Sequence, residues 1–148
     1  MPVSDYTPTT QEVATLLRAR TRDANGNYVG DFTSATLPTD TDAAGLIDLA
    51  VDEIGEAIGP DIDTEFWEAA KALVVLLSAA NIELSYYPEQ AAASNSMYDK
   101  LMERYNKKLE ELGANIAEAE ESTTDSTSGA LSVAGGFPEP MWWGYVQW

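Results

Sequence analysis

The apolar positions fall into four stretches that repeat at helical spacing. The most apolar covers residues 63–88. Phe66, Ala70, Leu73, Val74, Leu77 and Ala80 share one helical face there, and Val75 and Leu76 widen it past a single stripe. Only Glu68, Lys71, Ser78, Asn81 and Glu83 break the run from Phe66 to Leu84. A helix apolar on nearly every side is normally buried inside a bundle. The stretch therefore predicts a central core helix, capped by Asp63 and stopped by Pro88. Lys71 and Glu83 argue against a membrane span.

The other three stretches arrange themselves around it. Thr9 to Glu12 is a capping box ahead of Val13, Leu16 and Leu17, predicting a short helix that ends near Arg20 with arginines at the negative end of its dipole. Leu46, Ile47, Ala50, Ile54, Ala57 and Ile58 recur at steps of three and four, predicting a second helix over residues 41–58 that Gly59 and Pro60 end. Tyr98, Leu101, Tyr105, Leu109, Leu112 and Ile116 form a narrower stripe. That stripe predicts a helix from Ser94 or Ser96 to Ala119, an antiparallel partner for the central helix. The expected fold is all-α: a small four-helix bundle around a buried central helix within residues 1–121, with an extended C-terminal arm. Residues 21–39 are a long connection, with a turn signal at Asn25-Gly26 and apolar Tyr28, Val29 and Phe32. A small hairpin, a surface flap pinned by Tyr28 and Phe32, or an interaction loop all suit it.

Residues 122–136 read STTDSTSGALSVAGG, the composition of a flexible linker. Residues 137–148 read FPEPMWWGYVQW and hold three of the four tryptophans. Beyond such a linker these rings would expose several hundred Å² of apolar surface, which monomers rarely carry. They can fold back on their own bundle or dock into another subunit or protein, and the second is preferred. The candidates for partner binding are Phe137, Trp142, Trp143, Tyr145 and Trp148, because Trp and Tyr concentrate binding energy at interfaces.

Charge changes the picture further. The 148 residues include 25 acids and 8 bases, a net charge of −17, which repels nucleic acid and anionic membranes. Between Asp23 and Ala70 every charged residue is acidic. The bases cluster as Arg18, Arg20 and Arg22, then as Lys100, Arg104, Lys107 and Lys108, with Lys71 alone. The acids are either a solvated surface or one half of complementary patches that pair between copies of the chain. Arg18, Arg20, Arg22, Tyr28 and Phe32 are the inter-subunit candidates. Glu83 is the acid expected to be buried, paired with Lys108 or Arg104.

The chain has neither Cys nor His, which removes disulfides, thiol nucleophiles, imidazole bases and most zinc sites. Absent cysteines fit a cytoplasmic origin, and with no base before Arg18 and no apolar run ahead of it no secretory leader is expected. Asp23-x-Asn25-x-Asn27 begins like a calcium loop, but Tyr28 and Ser34 stand where Gly and Glu are needed; Asp61-x-Asp63-x-Glu65 fails at Phe66. Asp48 and Asp52 share a helix face but read as solvated surface rather than an acid–base pair. The expectation is no catalytic residue, no metal and no cofactor.

Four segments together resemble a known family: VATLLRARTRD (residues 13–23), GDFTSATLPT (30–39), IELSYYPEQ (82–90) and YDKLMERYNKKLEEL (98–112). Over residues 6–112 the chain resembles the head-to-tail connector, or adaptor, proteins of long-tailed bacteriophages. The aromatic C-terminus lies outside the resemblance. The resemblance implies a structural virion protein without enzymatic activity or cofactor. It implies a homo-oligomeric ring of about twelve copies in the virion neck, made in the host cytoplasm, beneath the portal protein and bridging it to the next neck or tail protein. The C-terminal segment would reach the portal. Genome DNA would meet the protein only by passing through its channel, whose negative wall would not hold phosphates, and no membrane is involved. The rival reading is an acidic DNA mimic or inhibitor that binds a basic partner. A small enzyme is disfavoured by the missing His and Cys.

Overall fold

A computed structural model describes residues 6–59 and 61–127, with side chains to residue 123. It is mostly helical, and no strand is present among the described residues. The chain divides into two units, Met1–Gly113 and Ala114–Trp148.

In the first unit, α1 (Thr10–Leu16) opens with the expected capping box. Thr9 Oγ1 accepts from the Glu12 amide at 3.3 Å, and Glu12 Oε2 accepts from the Thr9 amide at 2.7 Å. The helix stops at Leu16 rather than near Arg20, and a single 3₁₀ turn, Arg18–Arg20, follows. The arginines therefore do not sit in the last turn of α1. α2 (Asp40–Ile58) is capped by Thr39, whose hydroxyl accepts from the Asp42 amide at 3.2 Å. It ends at Gly59, whose φ of 91° is costly for any residue with a Cβ. Gly55 serves close packing instead: a Cβ there would lie 3.3 Å from the hydroxyl of buried Tyr6.

α3 (Trp67–Tyr86) is the centre of this unit, entered through a 3₁₀ turn at Thr64–Phe66. Asp63 precedes that turn and makes no side-chain cap, so the expected N-cap is not formed. Ala70, Leu73, Val74, Leu76, Leu77, Ala79, Ala80 and Ile82 are all buried, as a helix apolar on nearly every side requires. α2 packs along α3, and α1 rests on both. Their contributions to the core are Val13, Ala14, Ala43, Ile47, Ala50, Val51 and Ile54. By length and composition Thr64–Tyr86 could cross a membrane; burial against α1 and α2 accounts for the same residues as core. Pro88 ends α3 and also opens α4 (Pro88–Ala91), where its missing N–H costs nothing.

α5 (Met97–Thr127) begins at Ser96, whose hydroxyl accepts from the Asp99 amide at 3.1 Å while Asp99 accepts from the Ser96 amide. Leu101, Tyr105 and Leu112 are its buried residues in the first unit. Tyr105 lies close enough to Glu53 of α2 for that carboxylate, with burial as the larger cause, to raise its pKa.

In the second unit α5 continues to Thr127, so residues 122–127 of the expected linker are helical. The hydroxyls of Ser122 and Thr123 donate to the carbonyls of Glu118 and Ala119 four residues back, at 2.9 and 3.0 Å. The remaining linker, and the arm residues Phe137, Trp142, Trp143, Tyr145 and Trp148, lie outside the described residues.

Candidate interaction surface

Residues 21–39 are organised by their own polar side chains. Asp23 anchors the turn: its Oδ1 accepts from the amides of Asn25 and Asn27, both at 2.9 Å. Those bonds, that of Asn27 first, hold its pKa below the ordinary carboxylate range. An isolated antiparallel bridge between Arg22 and Tyr28 closes the turn, short of a hairpin. Further on, buried Thr36 satisfies its own hydroxyl: Oγ1 accepts from the Thr33 amide and donates to the Pro38 carbonyl, each at 2.8 Å. The Leu37–Pro38 bond is cis. Phe32 is buried, so the segment is a flap pinned by Phe32, whereas Tyr28 is about half exposed and pins nothing.

One cluster ties this flap to α3. Glu83 is buried and holds Arg20 by two bonds, Nε to Oε1 at 2.8 Å and a terminal guanidinium nitrogen to Oε2 at 2.9 Å. The expected partners, Lys108 and Arg104, are not the ones used; the 3₁₀ turn after α1 places Arg20 at the site. The Arg20 guanidinium carbon lies 3.6 Å from the centroid of the Tyr87 ring, a cation–π contact. The Tyr87 hydroxyl in turn donates to the carbonyl of Leu37. Glu83 raises the pKa of Arg20, which stays charged. Burial raises that of Tyr87 against the pull of Arg20. Every member is occupied, which makes the cluster a clamp between flap and core rather than a reactive site.

Charge is unevenly spread over the surface. Asp48, Asp52, Glu53 and Glu56 on α2, and Asp61, Asp63, Glu65 and Glu68 after it, are all exposed. On α5 the bases Lys100, Arg104, Lys107 and Lys108 are exposed, and so are the acids Asp99, Glu103, Glu110 and Glu111. Among the described residues the salt bridges are Arg20 with Glu83 and Lys71 with Glu12, the latter at 2.8 Å between α3 and α1. No group of three or more metal-binding side chains occurs among the described residues.

The inter-subunit candidates therefore separate. Arg20 is ion-paired within its own chain and Phe32 is buried. Arg18 and Arg22 are exposed, although Arg22 donates to the Gly26 carbonyl at 2.9 Å within its own turn. Tyr28 stays exposed. Sequence reasoning missed Leu49, an exposed leucine amid the acids of α2; its place off the apolar stripe, between Asp48 and Asp52, was the available signal. No family model, curated protein or solved structure matches the chain.

Proposed function

We propose that the chain is a structural subunit, a head-to-tail adaptor that forms a ring beneath a phage portal and links capsid to tail. In this reading the helices make a four-helix bundle around α3, and the C-terminal arm anchors its aromatic residues in a neighbour, first of all the portal. DNA passes through the channel of the ring. The virion neck is the protein's place. The observation that carries the reading is the uneven charge of a helical unit, acids alone along α2 and, on α5, a stripe of bases with no ion pair among the described residues. Such a surface suits repeated contacts between copies better than binding of a small substrate. The four segments that resemble adaptors lie in that same unit, and the all-α character agrees with them.

The test is to purify the full chain, measure its mass in solution, and image it alone and with the portal protein of the same virus. Rings that cap the portal are expected. Deleting residues 137–148 should leave the helical circular-dichroism signal intact and abolish portal binding. A chain that stays monomeric and ignores the portal would overturn the proposal. The exposed acids of α2 favour one rival, the acidic mimic; a salt-sensitive one-to-one complex with a basic nuclease or repressor, without rings, would establish it instead.

A further inference from the structure

The bases can be accounted for one by one. Arg20 and Lys71 have ion pairs, Arg22 is bonded to its own turn, and Arg18 is exposed on the 3₁₀ turn, away in sequence from the bases of α5. Lys100, Arg104, Lys107 and Lys108 are exposed on α5 with no ion pair among the described residues. Their spacing of four, three and one places them on one stripe of the helix. Met97, 47% exposed, heads the same stripe, three residues before Lys100 and seven before Arg104.

The outer face of α2 has the opposite pattern. Asp48, Asp52 and Glu56 follow one another at steps of four, with Glu53 beside them. Leu49 sits among them at 61% exposure, the highest of any large hydrophobic residue described. A Cβ on Gly45, one turn before Leu49, would meet nothing within 4 Å, so the face is open and low in relief. The α2 face thus carries only acids around Leu49, and the α5 stripe from residue 97 to 108 carries bases beside Met97, with Glu103 at its edge and Glu111 at its end; neither set has an ion pair among the described residues.

We propose that these two faces are the two halves of one contact: α2 of one copy docks on α5 of the next. Leu49 packs against Met97 and the aliphatic stems of Lys100 and Arg104, and the α2 acids pair with the α5 bases around them. The occupant is a second copy because every copy carries both complements. The chain's net charge of −17 opposes association at long range, but screening over about 8 Å in physiological salt leaves the local complementarity to decide at contact. Using different faces on the two partners, the contact is heterologous and repeats from copy to copy until it closes. The inference rests on the ring reading above and names its interface.

Sedimentation of the full chain in 50 mM and 500 mM NaCl tests it, with two triple variants. One carries Lys100→Glu, Arg104→Glu and Lys107→Glu; the other carries Asp48→Lys, Asp52→Lys and Glu56→Lys. The parent should assemble in low salt and weaken at least tenfold in high salt. Each variant alone should assemble at least tenfold more weakly, with helical circular dichroism unchanged, and an equimolar mixture of the two should regain assembly. Leu49→Glu should weaken assembly to a similar degree. Folded variants that assemble like the parent, or a mixture that regains nothing, would overturn the pairing and leave the ring standing. A parent monomeric in low salt would overturn both. Intact assembly that fails to bind the portal would count against the adaptor reading alone.

Discussion

α3 and α5 are both long helices, held in opposite ways. α3 is buried on nearly all sides, and even its polar Ser78 and Glu83 are inside. α5 is longer, yet its buried residues in the first unit reduce to Leu101, Tyr105 and Leu112. Burial on most sides makes α3 the source of stability and leaves it little surface to offer beyond its two ends. A single narrow stripe secures α5 to its unit and leaves the other faces to charges that can meet a partner. Core and contact surface are thereby assigned to different helices, so substitutions should separate stability from assembly.

Truncation of the core should show this most strongly. Leu73→Ala on α3, where Leu73 is fully buried, should cost about 3–4 kcal/mol by lost burial plus cavity. Leu109→Ala on half-buried α5 should cost only about 1 kcal/mol. Urea unfolding followed by circular dichroism measures both, and equal losses would break the contrast. Next comes Arg20→Ala, which strands the Glu83 carboxylate inside α3. About 2–3 kcal/mol is expected, below the full cost for a buried pair because Arg20 retains 21% of its side-chain exposure. Lys108→Ala and Arg104→Ala should leave stability within about 0.5 kcal/mol, since neither serves Glu83.

Ser78 sharpens the comparison in the other direction. Its Oγ is buried without a hydrogen-bond partner, and alanine is the better helix former. Ser78→Ala should therefore raise the unfolding midpoint, by about 1 kcal/mol in stability. The smallest effect concerns acid. Hydrogen bonding from Lys71 first, then from the Thr9 amide, lowers the pKa of Glu12. A lowered folded pKa stabilises above the ordinary carboxylate range of about pH 4, and that stabilisation is lost as pH falls through the folded value. The pair is solvent-screened, so Glu12→Gln should only flatten the fall in thermal midpoint below about pH 4.5.

How legible these features were depends on the range of the interactions behind them. The Thr9 capping box, the stripe of α2 with its glycine stop, and the burial of α3 rest on contacts within a few residues or on sheer apolar content, and periodicity reads both. The partner of Glu83 is sixty-three residues away, chosen by the direction a 3₁₀ turn gives Arg20, which no local pattern encodes. The helical span of residues 122–127 went against a composition rich in Ser and Thr; the hydroxyls of Ser122 and Thr123 are accommodated within it by bonding back to the turn before. Among the surface candidates, spacing found the bases of α5 but also proposed Phe32, since an aromatic residue in a connection looks the same whether it pins the flap or faces solvent. The aromatic arm was read from composition alone and lies beyond the described residues.

The last turns of α5 have a practical consequence. Past Gly113 every glutamate on the helix, Glu118, Glu120 and Glu121, is exposed, while the chain's final lysine is Lys108. A glutamyl endopeptidase consequently meets accessible bonds in the second unit, whereas trypsin finds no cleavage site there at all. Complete tryptic digestion therefore leaves everything after Lys108, with three of the four tryptophans, as one peptide.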